Sequence, residues 1–137
     1  MHCNRDTAEK IIKGGGDYVL ALKGNQQITH AEIAEYIEDC IADPLIEVET
    51  ANTVEKNRDR IETRICYKAP SLDWFESRQE WAGLKSAYAI RRSVELKEKT
   101  TLETAYYISS LDASPARILE LVRNHWKIES MHWENCI

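Results

Sequence analysis

The first apolar positions, Ala8, Ile11 and Ile12, recur at helical spacing behind Asn4 and Asp6, either of which can cap a helix start. Gly14-Gly15-Gly16 should stop that helix, because glycine enters the left-handed conformation of a helix end without a Cβ penalty. Tyr18-Val19-Leu20-Ala21-Leu22 is a short continuous apolar run between turn signals. Such a run reads as a buried strand, expected here in the core of a parallel sheet. Lys23-Gly24-Asn25-Gln26 reads as a turn. Thr29 and Glu32 match a capping box, in which each side chain satisfies a free backbone amide. A second helix should follow, with Ile33, Tyr36, Ile37, Cys40 and Ile41 on one face and Pro44 just past its end.

The period then changes. Ile61, Thr63, Ile65 and Tyr67 alternate with Arg60, Glu62 and Arg64, the signature of a half-exposed strand. Tyr88, Ile90, Val94 and Leu96 share one face of the next strand, interrupted by Arg92. Lys97-Glu98-Lys99-Thr100 is a polar turn, and Leu102, Thr104, Tyr106 and Ile108 return, so these two strands read as an antiparallel hairpin. Leu72-Asp73-Trp74-Phe75 and Trp81 read as a short helix or an aromatic plug. Ser114-Pro115 opens a final helix, with serine as cap and proline at the first helical position, running to about residue 133.

Composition narrows the class. The 137 residues are 43% apolar and 30% charged, enough for one globular domain with a core and unlike a disordered chain. Cys3, Cys40, Cys66 and Cys136 lie far apart, with no CxxC pair to suggest zinc or a disulfide framework. No apolar run approaches the roughly 18 residues of a membrane span, and Met1-His2-Cys3-Asn4-Arg5-Asp6 has no signal-peptide pattern. A cytoplasmic bacterial protein with reduced thiols is the expectation. The net charge of −5 weighs mildly against DNA binding by this chain alone, although a local basic strip is compatible with it.

On the final helix, Ile118, Leu119, Leu121, Val122, Trp126, Ile128 and Trp133 fill one arc. Glu129 falls near the middle of that arc, with His125 and His132 inside it. A carboxylate placed there needs a cation, a hydrogen-bond network or a raised pKa, since burying it ionised and unpaired is costly. Held on a rigid helix, it could serve as a ligand for Mg²⁺ or Mn²⁺. A Glu paired with an arginine, or one at a frayed helix end, explains the pattern equally well. Gly14-Gly15-Gly16 lacks P-loop spacing, and no zinc-binding histidine motif is present. Tyr106 and Tyr107 take opposite strand faces, so one should be core and one exposed.

His125-Trp126-Lys127-Ile128-Glu129 resembles the third catalytic block of the ISAs1 (H-repeat-associated) transposases, IS4-related members of the DDE type. The opening is also similar to that family, from Met1-His2-Cys3-Asn4 through Gly15-Gly16-Asp17-Tyr18-Val19-Leu20-Ala21-Leu22-Lys23-Gly24-Asn25-Gln26. Arg60-Ile61-Glu62-Thr63-Arg64, Trp81-x-Gly83-Leu84-Lys85 and Tyr106-Tyr107-Ile108-Ser109-Ser110-Leu111 match in the same order. In the wider group a Tyr-x-x-Arg-x-x-x-Glu pattern precedes the glutamate. Here Val122 and His125 stand at the tyrosine and arginine positions. The family's tail after the second His-Trp is also not continued by Glu134-Asn135-Cys136-Ile137.

The resemblance implies an α/β fold: part of an RNase H-like catalytic core, carrying a β-rich antiparallel insertion. Residues 1–46 would be a strand-helix portion, 47–111 the insertion and 112–137 the glutamate-bearing helix. The two aspartates of the triad would lie before Met1, leaving Glu129 as the catalytic and metal-binding residue. Mg²⁺ or Mn²⁺ would serve the full-length protein, with none held tightly by this chain. Arg58, Arg60, Arg64, His125 and Lys127 become candidates for contact with transposon-end DNA. The bland reading of the arginines is a solvated strand face paired with Glu62 and Glu95. With the sheet centre upstream, Tyr18–Leu22 would form an unpaired edge and the chain could self-associate. The alternative function is a non-enzymatic remnant or small interaction module from a decayed mobile element. A complete metal-dependent nuclease is disfavoured, because Asp17, Asp39, Asp43, Asp59, Asp73 and Asp112 mostly sit at turns or element ends.

Overall fold

The computed structural model describes residues 5–22, 27–72, 75 and 81–128, giving only the backbone for 5–7, 27–28 and 124–128. Its elements are α1 (Arg5–Lys13), β1 (Val19–Ala21), α2 (Gln27–Ala42), β2 (Glu49–Asn57), β3 (Arg60–Lys68), β4 (Ser86–Leu96), β5 (Lys99–Ser109) and α3 (Pro115–Ile128). The strands form one five-stranded sheet in the order β1-β5-β4-β3-β2. Every neighbouring pair is antiparallel.

The antiparallel pairing corrects one expectation. β1 does not belong to a parallel core; it pairs antiparallel with β5, Val19 opposite Ser109 and Ala21 opposite Tyr107. Its unbroken apolar run reflects burial on both faces, which a parallel sheet also produces. Tyr18, Leu20 and Leu22 enter the cluster beneath α1 and α2, while Val19 packs against the cluster beneath α3. β1 does lie at the edge of the sheet.

The helices make three layers. On one sheet face, Ala8, Ile33 and Ile37 pack with Ala87, Ala89, Tyr106 and Ile108, and the plug residues Leu72, Phe75 and Trp81 join them. On the other face, Ile118 and Leu119 of α3 cover Cys66, Tyr88 and Ile90. The faces implied by the strand periods therefore differ between β4 and β5: Tyr88 and Ile90 point to α3, Tyr106 and Ile108 to α2. Tyr107 is part-buried against the α3-side cluster, where an exposed ring was one of the two expectations. On β3 the fully buried side chain is Cys66, which lies on the arginine side, and Ile61, Thr63, Ile65 and Tyr67 are only part-buried.

Local chemistry sets the boundaries. At the end of α1, Gly16 N–H donates to Ile11 O and Gly15 N–H to Ile12 O, both at 3.0 Å. Gly15 has φ 82°, so this is a Schellman ending with glycine at its left-handed position. α2 begins two residues before Thr29, whose side chain is buried within the helix. Thr29 is therefore not the cap that the Thr-x-x-Glu spacing suggested. The start of α3 does follow its signal, with Arg117 N–H donating to Ser114 Oγ at 3.2 Å. Two-residue turns join β2 to β3 and β4 to β5. Arg58 takes the left-handed conformation in the first, at φ 52°. Among the described residues no helix is long and apolar enough to cross a membrane.

Candidate nucleic-acid interface

The strand registers assemble the site on the α3 face of the sheet. Thr53, Arg64, Arg92 and Glu103 form one cross-strand row, since Thr53 pairs with Arg64, Arg64 with Arg92 and Arg92 with Glu103. Two arginines placed directly opposite each other repel. Glu62, one row nearer the hairpin tips, takes both: Arg64 Nη2 lies 2.5 Å and Arg92 Nε 3.0 Å from its Oε2. Arg60 Nη2 reaches Glu62 Oε1 at 2.9 Å. Three guanidiniums thus share one carboxylate whose side chain is only 13% exposed. On α3, Arg123 pairs with Glu55 of β2 at 2.6 Å.

Of the sequence candidates, Arg60 and Arg64 belong to this cluster, and Arg58 is exposed at the neighbouring hairpin turn. His125 and Lys127 lie on α3, where the backbone alone is described, and Glu129 lies outside the described residues. Glu62 plays the pairing role that the bland reading gave it. Glu95 does not share it, because it occupies the opposite face of β4. Arg123 was missing from the sequence candidates. Its helical position marked it as solvent-facing, and only the packing of α3 over β2 and β3 brings it to the cluster. Arg91 lies on the α2 face, where it pairs with Glu38 and stacks 5.2 Å from the Tyr67 ring centre.

The cluster has a pH signature. The hydrogen bond from Arg92, aided by the charges of Arg64 and Arg60, holds the Glu62 carboxyl below its ordinary value of 4.5. A carboxyl with a lowered pKa in the folded state stabilises fully above its unfolded pKa, and that contribution disappears as pH falls through the folded value. Wild-type urea midpoints should therefore drop faster between pH 5 and pH 3 than those of Glu62→Gln. Parallel curves for the two proteins would remove Glu62 from the acid response.

Other groups are chemically quiet. Burial pushes the Cys66 thiol up to about 12, leaving it protonated and a poor ligand or nucleophile. Burial together with the hydrogen bond to Glu38 pushes the Tyr106 hydroxyl up to about 12 as well. Among the described residues no three His, Cys, Asp or Glu side chains converge to hold a metal ion. These residues therefore do not fit the oxygen-rich set that Mg²⁺ or Mn²⁺ requires.

The placement of α3 is itself built in. Tyr88, fully buried, donates from its hydroxyl to Ala113 O at 2.7 Å and accepts from Ala113 N–H at 3.1 Å. The Ser86 hydroxyl contacts the Leu111 carbonyl beside it. Lys68 of β3 pairs with Asp112 at 2.6 Å. The segment that launches α3 is thereby fixed to β3 and β4.

The transposase DDE domain, as a family, matches residues 1–135 of this chain. The chain belongs to the DDE transposase family. Its relatives include an uncharacterized protein in the dhlA 3′ region of Xanthobacter autotrophicus, 36% identical over 113 residues, covering 82% of this chain and 38% of that protein. YhhI of Escherichia coli K12, named as an H repeat-associated transposase, is 32% identical over 139 residues, covering 97% of this chain and 36% of its own length. YncI of Escherichia coli O157:H7, also named as a transposase, is 34% identical over 141 residues, covering 97% and 35%. The DDE transposase chain thus spans little more than a third of the length of these relatives. No solved structure matches it.

Proposed function

We propose that this chain is the C-terminal segment of an ISAs1-type insertion-sequence transposase, divided into 1–46, 47–111 and 112–137 as the sequence suggests. Its α/β body is part of an RNase H-like catalytic domain, with β2 to β5 as the antiparallel insertion. Glu129 is the last carboxylate of the catalytic triad, on the helix that the sequence suggests over 112–137. The arginine cluster and Arg58, with His125 and Lys127, face transposon-end DNA. The observation that carries this reading is the family match across residues 1–135, which includes the His-Trp-Lys-Ile-Glu block.

Physical chemistry supports the division of labour. Cleavage and strand transfer by two divalent ions need several carboxylates from separate elements. Glu129 supplies at most two oxygens, far short of an octahedral set. The segment therefore acts only as part of a longer transposase. Its arginines would neutralise backbone phosphates and position the duplex without reading its sequence, giving salt-sensitive affinity. Glu62 keeps Arg60, Arg64 and Arg92 close together despite their mutual repulsion.

The test is direct. The purified chain, incubated with supercoiled plasmid and Mg²⁺ or Mn²⁺, should produce no nicking above a protein-free control. Metal-dependent nicking that disappears in Glu129→Gln would overturn the proposed incompetence of the segment alone.

A further inference from the structure

Leu111, Asp112 and Ala113, which lead into α3, are each gripped from the sheet. Leu111 N–H donates to Ser109 Oγ at 2.9 Å, and the Leu111 carbonyl accepts from the Ser86 hydroxyl. Asp112 pairs with Lys68 at 2.6 Å. Ala113 is held twice by Tyr88, whose hydroxyl donates to its C=O at 2.7 Å and accepts its N–H at 3.1 Å. The Ser86 hydroxyl lies 2.9 Å from that of Tyr88, which ties two of these grips together.

The rest of α3 is held with less direction. Ile118 and Leu119 rest on Cys66, Tyr88 and Ile90 through apolar burial, which is non-directional. The Arg123–Glu55 pair joins two half-exposed side chains, a kind of contact that contributes little. Hydrogen bonds to the backbone, by contrast, constrain both distance and angle. Tyr88 supplies both kinds of contact: its ring is part of the floor under α3, and its hydroxyl holds the residue just before the Ser114 cap. It stands on β4, the central strand of the sheet.

Helix length amplifies any change at that point. α3 has 14 residues, roughly 21 Å at about 1.5 Å per residue. A tilt of about 5° at its base moves its far end by roughly 2 Å. Misplacing a reacting group by about 1 Å can cost on the order of a hundredfold in rate. The far end of α3 is Ile128, which precedes Glu129 in the chain.

We propose that Tyr88 is a positioning residue for strand cleavage: its hydroxyl sets the direction of α3 and thereby the place of Glu129, an inference that rests on the catalytic role proposed for Glu129. Tyr88 is fully buried and acts through the helix, not on the substrate.

Two measurements test this, each made on Tyr88→Phe and Ile37→Val. Ile37 of α2 is fully buried against the opposite face of the sheet, so shortening it lowers stability comparably without touching the lead into α3. Urea midpoints check that match. In the purified chain, amide residual dipolar couplings of α3 and of β3 to β5 should fit one fixed orientation in wild type and in Ile37→Val. In Tyr88→Phe the sheet couplings should persist while those of α3 change or shrink. In the segment joined to the upstream portion of an active transposase of the same family, Tyr88→Phe should lower kcat at saturating transposon-end DNA about tenfold, with KM near wild type. Ile37→Val should leave both parameters unchanged. Wild-type α3 couplings or a wild-type kcat in Tyr88→Phe, or an equal loss of kcat in Ile37→Val, would overturn the proposal. Full cleavage by Glu129→Gln in the same background would overturn it together with the reading of Glu129. An inactive Glu129→Gln beside a fully active Tyr88→Phe would overturn the positioning role alone.

Discussion

Tyr88→Ala should lower the stability of the chain by about 3–5 kcal/mol, a large share of the roughly 5–15 kcal/mol that holds a domain folded. The side chain is fully buried against Cys66, Ile90, Ile118 and Leu119. Its removal leaves a cavity between β4 and α3. It also strips the Ala113 N–H and C=O of their shared partner. Tyr88→Phe keeps the ring and isolates the second effect, expected at about 0.5–1.5 kcal/mol for the loss of part-buried hydrogen bonds. Urea unfolding followed by circular dichroism measures both. The ordering carries the argument: Ala should cost more than Phe, and Phe more than a surface change such as Glu98→Ala. If Tyr88→Phe unfolds at the wild-type midpoint, the hydroxyl does not anchor the start of α3.

The second large effect concerns Glu129. When this segment is joined to the upstream portion of an active transposase of the same family, Glu129→Gln should reduce cleavage at the transposon end by roughly 10²–10⁴-fold. That corresponds to the several kcal/mol that a correctly held metal charge contributes to the transition state. The substitution preserves shape and removes charge, so folding and end-binding in a gel-shift assay should remain near wild type. Lys127→Ala, two positions earlier in the chain, should instead weaken binding with a shallower salt dependence and leave the cleavage step intact once DNA is saturating. Wild-type cleavage by Glu129→Gln would displace this residue from the triad.

Much of the fold was legible because local chemistry agreed with the final packing. The glycine triplet ended α1, Ser114-Pro115 began α3, and the Lys97-Glu98 turn separated two strands of alternating character. β2 was not legible. Glu49–Asn57 carries Ala51 and Val54 among polar residues, and as an edge strand with mostly exposed side chains it needs no clear alternation. The direction of β1 was misread because an apolar run reports coverage of both faces and says nothing about partner orientation. The capping signal at Thr29 failed because that residue lies inside α2 with its side chain buried. For the site, the sequence named Arg60 and Arg64 but could not show that Arg92 stands opposite Arg64, because that depends on register between strands 28 residues apart. The short motif containing Glu129 and its agreement with the family are legible in the sequence, whereas the position of its side chain lies outside the described residues.

The long hairpins have a root and a free end. Near the root, α2 and α3 sandwich Cys66, Ala89 and Ile90. Toward the turns, Val54, Leu96 and Leu102 are 53%, 47% and 68% exposed. The sheet thus behaves as a cantilever, clamped between helices and compliant at its tip. Its outer rungs can bend or twist to follow a curved surface while the clamp keeps the base, and the helix mounted on it, in register.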